Sequence, residues 1–234
     1  MKKIQYSILM ACYNNWFNTI TAINSLIEKA GTIDFELIVC NDGSTDETKE
    51  GLDILSEHKH IKVIHNNKNI GVPKSINRML DIAKGKYILR VDNDIKMETE
   101  MYLDKMCYWF GYVDKKTNEK LGALSCITDN TSGSAGGKSP TNKKPIIQFS
   151  SEINGYCQML PKKAIIEVGG IDINFPKVYG EDRDLVYRII NKGYVAGICF
   201  DVFCWHKRMS TFPPDTALGS LYWRLSNKRM KEKW

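Results

Sequence analysis

Asp92 and Asp94 stand one residue apart at the end of the apolar run Tyr87–Val91, with Asn93 between them. Carboxylates are costly to bury unless something positive meets them, so a strand that ends in two of them is a candidate for presenting both to a cation. Taken alone, the pair reads equally as a turn or a helix cap. Further polar clusters precede and follow it: Tyr13-Asn14-Asn15, Asn41-Asp42-Gly43-Ser44-Thr45-Asp46, Gly71 with Lys74, Glu181-Asp182 and His206. Each has a plain structural reading too. Asp42 could cap a helix, although Ser44, Thr45 and Asp46 are better placed to do so. Acids such as Glu181 and Asp182 are favoured at a helix start in any case. Lys74 is equally a solvated helix residue, Asn77 a tie between a helix and a loop, and Asp184 with Arg188 an ordinary helical ion pair.

The elements that must position these residues alternate in type. Gln5–Cys12 is a buried apolar strand that stops at Tyr13-Asn-Asn, and Trp16–Lys29 is a helix with Ile20, Ile23 and Ile27 on one face. Phe35–Cys40 is a strand, Asp46–Ser56 a helix, Ile61–Ile64 a strand, Ser75–Lys84 a helix and Tyr87–Val91 a strand. That order predicts an α/β fold, with a parallel, doubly wound sheet whose ligand site lies beyond the carboxyl ends of its strands. The clusters at 13–15, 41–42 and 92–94 should therefore meet on one edge. Downstream the pattern predicts a helix over Met101–Tyr112, helices over Lys162–Glu167 and Glu181–Asn191, and a last strand over Tyr194–Phe203. The polar stretch Asp129–Lys144 reads as a loop that could fold over a ligand or be a passive excursion.

At 234 residues with 43% hydrophobic and 26% charged residues, the chain can bury one well-formed core, and one domain is expected. The formal charge of +6 selects no partner, and no nucleic-acid motif accompanies it, so no nucleic-acid partner is expected. The seven cysteines form no CxxC pair and several lie in apolar runs, which predicts buried free thiols. Neither a signal peptide nor a run of roughly 20 apolar residues is present, so a cytoplasmic protein is expected.

Taken together, Tyr13-Asn14, Asn41 to Thr48, Asn69-Ile-Gly71 with Asn77, Ala83-Lys-Gly85, Asp92-Asn-Asp94 and Tyr179-Gly-Glu-Asp-Arg-Asp-Leu185 resemble the motif series of the family 2 glycosyltransferases. The resemblance runs from about Ile8 to His206. It implies a single GT-A domain over 1–206 with a Rossmann-like, mostly parallel sheet, divided into a nucleotide-binding half (1–98) and an acceptor and catalytic half (99–206). It further implies inverting, metal-dependent sugar transfer from a nucleoside diphosphate donor, a UDP-sugar by preference, to a glycan, lipid-linked or protein acceptor. On this resemblance Asp42 accepts from the base, while Ala11, standing where the family usually has proline, lies with Tyr13 and Asn15 around base and ribose. Gly71 and Lys74 fall near the diphosphate. Asp92, Asn93 and Glu181 belong to the donor network, Asp94 holds Mn2+ or Mg2+, His206 is a further metal ligand, and Asp182 is the general base. Asn154–Gln158 and Gly169–Asp172 line the acceptor side. A nucleotidyltransferase is a rival reading, but Met10–Asn15 is no glycine-rich phosphate loop; a catalytically inactive nucleotide-sugar-binding module is another. The basic, aromatic tail 207–234 is open to two readings, a helix packed on the domain or an interfacial helix touching anionic lipid at the inner face of a membrane.

Overall fold

The computed structural model describes residues 4–31, 34–129, 147–151, 153–207, 213 and 215–234. Most of the 129–144 loop lies outside these residues. The first half alternates as the sequence predicts: β1 (Tyr6–Cys12), α1 (Trp16–Lys29), β2 (Phe35–Asn41), α2 (Thr48–Leu55), β3 (Ile61–His65), α3 (Val72–Ile82) and β4 (Tyr87–Asp92). There follow β5 (Ile95–Met97), α4 (Tyr102–Thr117), β6 (Leu121–Thr128), β7 (Ile147–Phe149), β8 (Cys157–Pro161), α5 (Lys162–Glu167), α6 (Glu181–Ile190), β9 (Val195–His206) and α7 (Ala217–Lys233).

Among the described residues nine strands form one sheet in the order β3-β2-β1-β4-β8-β6-β9-β5, with β7 also pairing with β9. The expected parallel order holds from β3 to β4. Beyond β4 the sheet is mixed: β8 runs antiparallel to both β4 and β6, β6 and β9 are parallel, and β5 and β7 are antiparallel to β9. Successive strand residues face opposite sides, and the core divides accordingly. Ile8, Met10, Leu37 and Val39 join Leu26, Met106 and Trp109 on one face of the sheet, while Leu9, Ile38 and Cys40 join Met79, Leu185 and Ile189 on the other. With both faces covered, β1 and β2 are nearly continuous apolar runs, as buried parallel strands require. All seven cysteines are free thiols and six are buried, packing as small apolar groups. No helix among the described residues is long and apolar enough to cross a membrane.

The register of the sheet sets up the site. Across β1, Ala11 lies between Cys40 and Asp92, and Cys12 is opposite Asn41. The first loop, the second loop and the two aspartates therefore share one sheet edge.

Candidate active site

One corner is built by the short antiparallel pair β5–β9, whose register sets Ile95 opposite His206. The imidazole Nε2 lies 3.2 Å from Asp94 Oδ1 and 3.6 Å from Asp92 Oδ2. One ligand atom from each of Asp92, Asp94 and His206 lies within 4.8 Å of the others. Tyr156 stacks on His206 with ring centroids 4.9 Å apart, and its hydroxyl donates to Cys126 O at 2.6 Å, which fixes the plane of the imidazole from behind. Lys207 N donates to Asp94 O at 3.0 Å and closes the corner. Desolvation, then the charges of Asp94 and Asp182, raise the Asp92 pKa above the ordinary carboxylate value, while Arg90 and His206 oppose the rise. Two crowded carboxylates and an imidazole are a donor set that fits a divalent ion with oxygen preference, the nitrogen favouring Mn2+ over Mg2+. Asn93 takes no part in this group. It turns under the strand end, buried, and donates to Thr19 Oγ1 at 2.9 Å on α1.

The second corner holds Asp42, only 4% exposed. Its carboxylate accepts from Asn66 Nδ2 at 2.7 Å, Ile70 N at 2.9 Å and Gly71 N at 2.8 Å. An ionised carboxylate offers about four acceptor positions, so three here are spent on holding the 66–71 loop against the end of β2. Gly71, at φ 92°, is needed for another neighbour than a ligand: a Cβ there would lie 2.7 Å from Lys177 Cα. Lys177 O accepts from Val72 N at 2.7 Å, so the 177 segment crosses the start of α3. Lys74 is exposed on that first turn. The two upstream loops lock together, with Asn14 N donating to Ser44 Oγ and Thr45 N to Asn14 Oδ1, both at 2.8 Å. Asn14 and Asn15 adopt left-handed backbone to make this turn. Asp46 accepts from Trp16 N and Thr48 N. Burial works to raise its pKa, but these hydrogen bonds hold it below the ordinary value. Tyr13 and Ala11 sit half-buried at the same edge.

Arg90 joins the two halves of the site, and sequence reasoning passed over it as a strand residue. It lies two residues before Asp92 and so on the same face of β4, where it forms a buried ion pair with Glu181 at the start of α6. Glu181 is 2% exposed, so it supports the site from beneath. Burial pushes its carboxyl up to about 7, Asp182 adding to the rise and Arg90 opposing it. Asp182, the next residue, is half-buried, and its Oδ2 accepts from Gly155 N at 2.9 Å. Only glycine permits this approach, because a Cβ at 155 would lie 2.7 Å from the Asp182 Cβ and 2.9 Å from Arg90 Nη1. Gln158 faces Arg90 across β4–β8 and is fully buried. Among the described residues its amide, Arg90 Nη1 and Glu181 Oε2 have no hydrogen-bond partner, a concentration of unpaired buried polar atoms that marks the cluster as more than core. A lone arginine within an apolar strand was the signal available in the sequence.

The tail packs on the domain. Arg229 and Lys233 reach Asp172 at 2.9 and 2.8 Å, and Lys233 also reaches Asp184 at 2.7 Å. Trp234 Nε1 donates to Asp184 Oδ1 at 3.1 Å, and Asp184 accepts from Arg188 at 2.8 Å in the ion pair expected from its spacing. Trp223 meets Tyr179 edge-on, and Ser226 fills the space a Cβ would need at Gly180, so α7 borders the segment that leads into Asp182. Asn77 is the tie that its position suggests, exchanging two hydrogen bonds of 2.8 and 2.9 Å with the Ile171 backbone.

The fold is the GT-A fold of glycosyltransferases. Over 88% of its length the chain superposes on the mannosyltransferase PcManGT from Pyrobaculum calidifontis, solved with GDP-Man and Mn2+ (TM-score 0.68, 16% identity, 58% of that chain). Over 96% it superposes on GalNAc-T7, solved with UDP, GalNAc and Mn2+ (TM-score 0.72, 15% identity, 48% of that chain). Residues 7–110 match the family described as Glycosyl transferase family 2, which bears out the motif resemblance over that segment. Escherichia coli WfaP, named UDP-Glc:alpha-D-GlcNAc-diphosphoundecaprenol beta-1,3-glucosyltransferase, is 28% identical over 199 residues, 81% of this chain and 72% of that protein. The uncharacterized glycosyltransferase YibD of Escherichia coli K12 is 34% identical over 97 residues, 41% of this chain and 28% of that protein. A Haemophilus influenzae relative, also an uncharacterized glycosyltransferase, is 38% identical over 89 residues. The chain thus spans about a quarter of the length of these last two relatives.

Proposed function

We propose that the chain is an inverting glycosyltransferase that moves a sugar from a nucleoside diphosphate donor, a UDP-sugar by preference, to an acceptor hydroxyl in surface glycan or polysaccharide synthesis. The observation that carries this reading is that Asp92 groups with Asp94 and His206 on one side and, with Glu181 and Asp182, faces the buried Arg90 on the other. Asp94 and His206, with Asp92, would hold Mn2+ or Mg2+. Such an ion supplies positive charge for the departing diphosphate. Asp42 retains one acceptor position for an N–H of the base, and Ala11 and Tyr13, on either side of the Cys12 whose carbonyl accepts from Asp42 N, would line base and ribose.

Asp182 takes the proton of the acceptor hydroxyl as its oxygen bonds to the anomeric carbon, while the bond from that carbon to the diphosphate oxygen breaks on the opposite face. One carboxylate suffices, since no sugar–enzyme intermediate forms. Gly155 N–H holds Oδ2 and leaves Oδ1 for the acceptor. Arg90 and Glu181 position the start of α6 beneath it. The names of the matched proteins support a nucleotide-sugar donor, and that of WfaP supports a lipid-linked acceptor.

The test is a panel of UDP-, GDP- and dTDP-sugars with and without Mn2+, read by thermal shift and by release of the nucleoside diphosphate. A stabilising donor should be turned over by the wild type, and Asp182→Asn should keep donor binding while losing turnover by about 10²–10⁴-fold. Absence of any stabilising donor would sink the reading, and equal turnover by Asp182→Asn would remove the base. A panel in which donors bind but neither protein turns them over would identify a binding module instead.

A further inference from the structure

The outer face of α7 carries two parallel rows of exposed side chains. Leu218, Leu221 and Leu225 recur at intervals of three and four and are 45%, 41% and 45% exposed. Arg224, Lys228 and Lys231, at four and three, form an exposed basic row beside them, in which Lys228 lies 3.8 Å from Glu232. The opposite face is already committed, with Gly219 and Ser226 buried and Arg229 and Lys233 engaged with Asp172 and Asp184. The cations that dock the helix are therefore distinct from those it displays. Leucines on a helix that is already docked gain nothing from water. A leucine row flanked by cations is the arrangement that seats in a headgroup layer, the apolar row at the acyl boundary and the cations among lipid phosphates. The net charge of +6 adds attraction over a longer range.

We propose that α7 is an interfacial helix that binds the surface of an anionic bilayer through Leu218, Leu221 and Leu225, with Arg224, Lys228 and Lys231 on the lipid phosphates. Charge complementarity selects this occupant: a neutral apolar partner would leave Arg224 and Lys231 unanswered, and a free anion would leave the leucines in water. Because Trp223 and Ser226 of the same helix touch Tyr179 and Gly180, the bilayer would lie beside the segment that leads into Asp182. Delivery of a lipid-linked acceptor along that path rests on the proposed glycosyl transfer, whereas the binding itself does not.

Co-sedimentation of the full chain with phosphatidylglycerol or phosphatidylcholine vesicles, without donor or metal, tests the proposal separately from the enzymatic reading. Binding to phosphatidylglycerol should exceed that to phosphatidylcholine by about tenfold or more and weaken with salt. Leu221→Glu with Leu225→Glu should lose about tenfold or more of that binding at an unchanged Tm. Arg224→Gln with Lys228→Gln should lose the preference for the anionic vesicles. Failure of the wild type to sediment with phosphatidylglycerol would overturn the proposal, as would full binding by the leucine variant. So would a wild-type dimer that the leucine variant splits on size exclusion, because the face would then belong to a second copy of the chain.

Discussion

Arg90 answers three carboxylates at once: Glu181 by contact, and Asp182 and Asp92 by charge, which offset the cost of burying the guanidinium. Breaking a buried pair leaves the partner charged and dry, so Arg90→Met should destabilise the protein by about 3–5 kcal/mol in urea unfolding. Replacing both members, Arg90→Met with Glu181→Leu, should recover much of that loss. A single variant within about 1 kcal/mol of wild type would mean that the pair is not formed. Gly155 tests the position of Asp182, the proposed base, not the stability beneath it. A methyl group at Gly155→Ala meets the Asp182 Cβ at 2.7 Å. Displacing a catalytic group by about 1 Å costs on the order of 10²-fold, so transfer should fall that far while donor affinity is kept.

At the scale of elements, the joints between α3, α6 and α7 hold the second half of the site in place. Asn77→Ala deletes both hydrogen bonds that tie α3 to the Ile171 backbone, at an expected cost of about 1–3 kcal/mol by denaturant titration. Burial would raise the pKa of Asp172, but hydrogen bonds from Lys233, Asn174 and Arg229 hold it well below the ordinary carboxylate value. A depressed carboxyl stabilises above its unfolded pKa of about 3.9 and loses that contribution as pH falls below it. The stability difference between wild type and Asp172→Asn should therefore be full at neutral pH and shrink once the pH drops under about 4. Elements with strong punctuation were readable from the sequence. The helix Trp16–Lys29 has asparagines before it and Gly31 after it, and its bounds are those observed. The strand Leu121–Thr128 was missed, because eight consecutive buried residues carry neither alternation nor a turn signal between them. The helix expected over Met101–Tyr112 runs on to Thr117 through an exposed, charged last turn that the apolar pattern does not record. The Arg90–Glu181 pair joins residues from two motifs that look unrelated until β4 and α6 are packed together.

At the scale of the whole molecule, six of the seven cysteines are buried and Cys107 alone is half-exposed. Burial raises the Cys40 thiol to about 11 and holds the Cys199 thiol well above its ordinary value, which removes the reactive thiolate. A thiol reagent such as Ellman's should accordingly label one cysteine in the native protein, and Cys107→Ser should abolish that rapid phase while denaturant exposes the other six. The pairing of β5 with β9 bears on something else, the order in which the chain is made. His206 lies more than a hundred residues after Asp94, and a ladder of three residue pairs brings them together. A growing polypeptide can carry both aspartates outside the ribosome long before the imidazole exists. Capture of the proposed ion would then be a late event in biosynthesis, and a truncation ending before Val195 should lack His206, the proposed third ligand, however well its first strands associate.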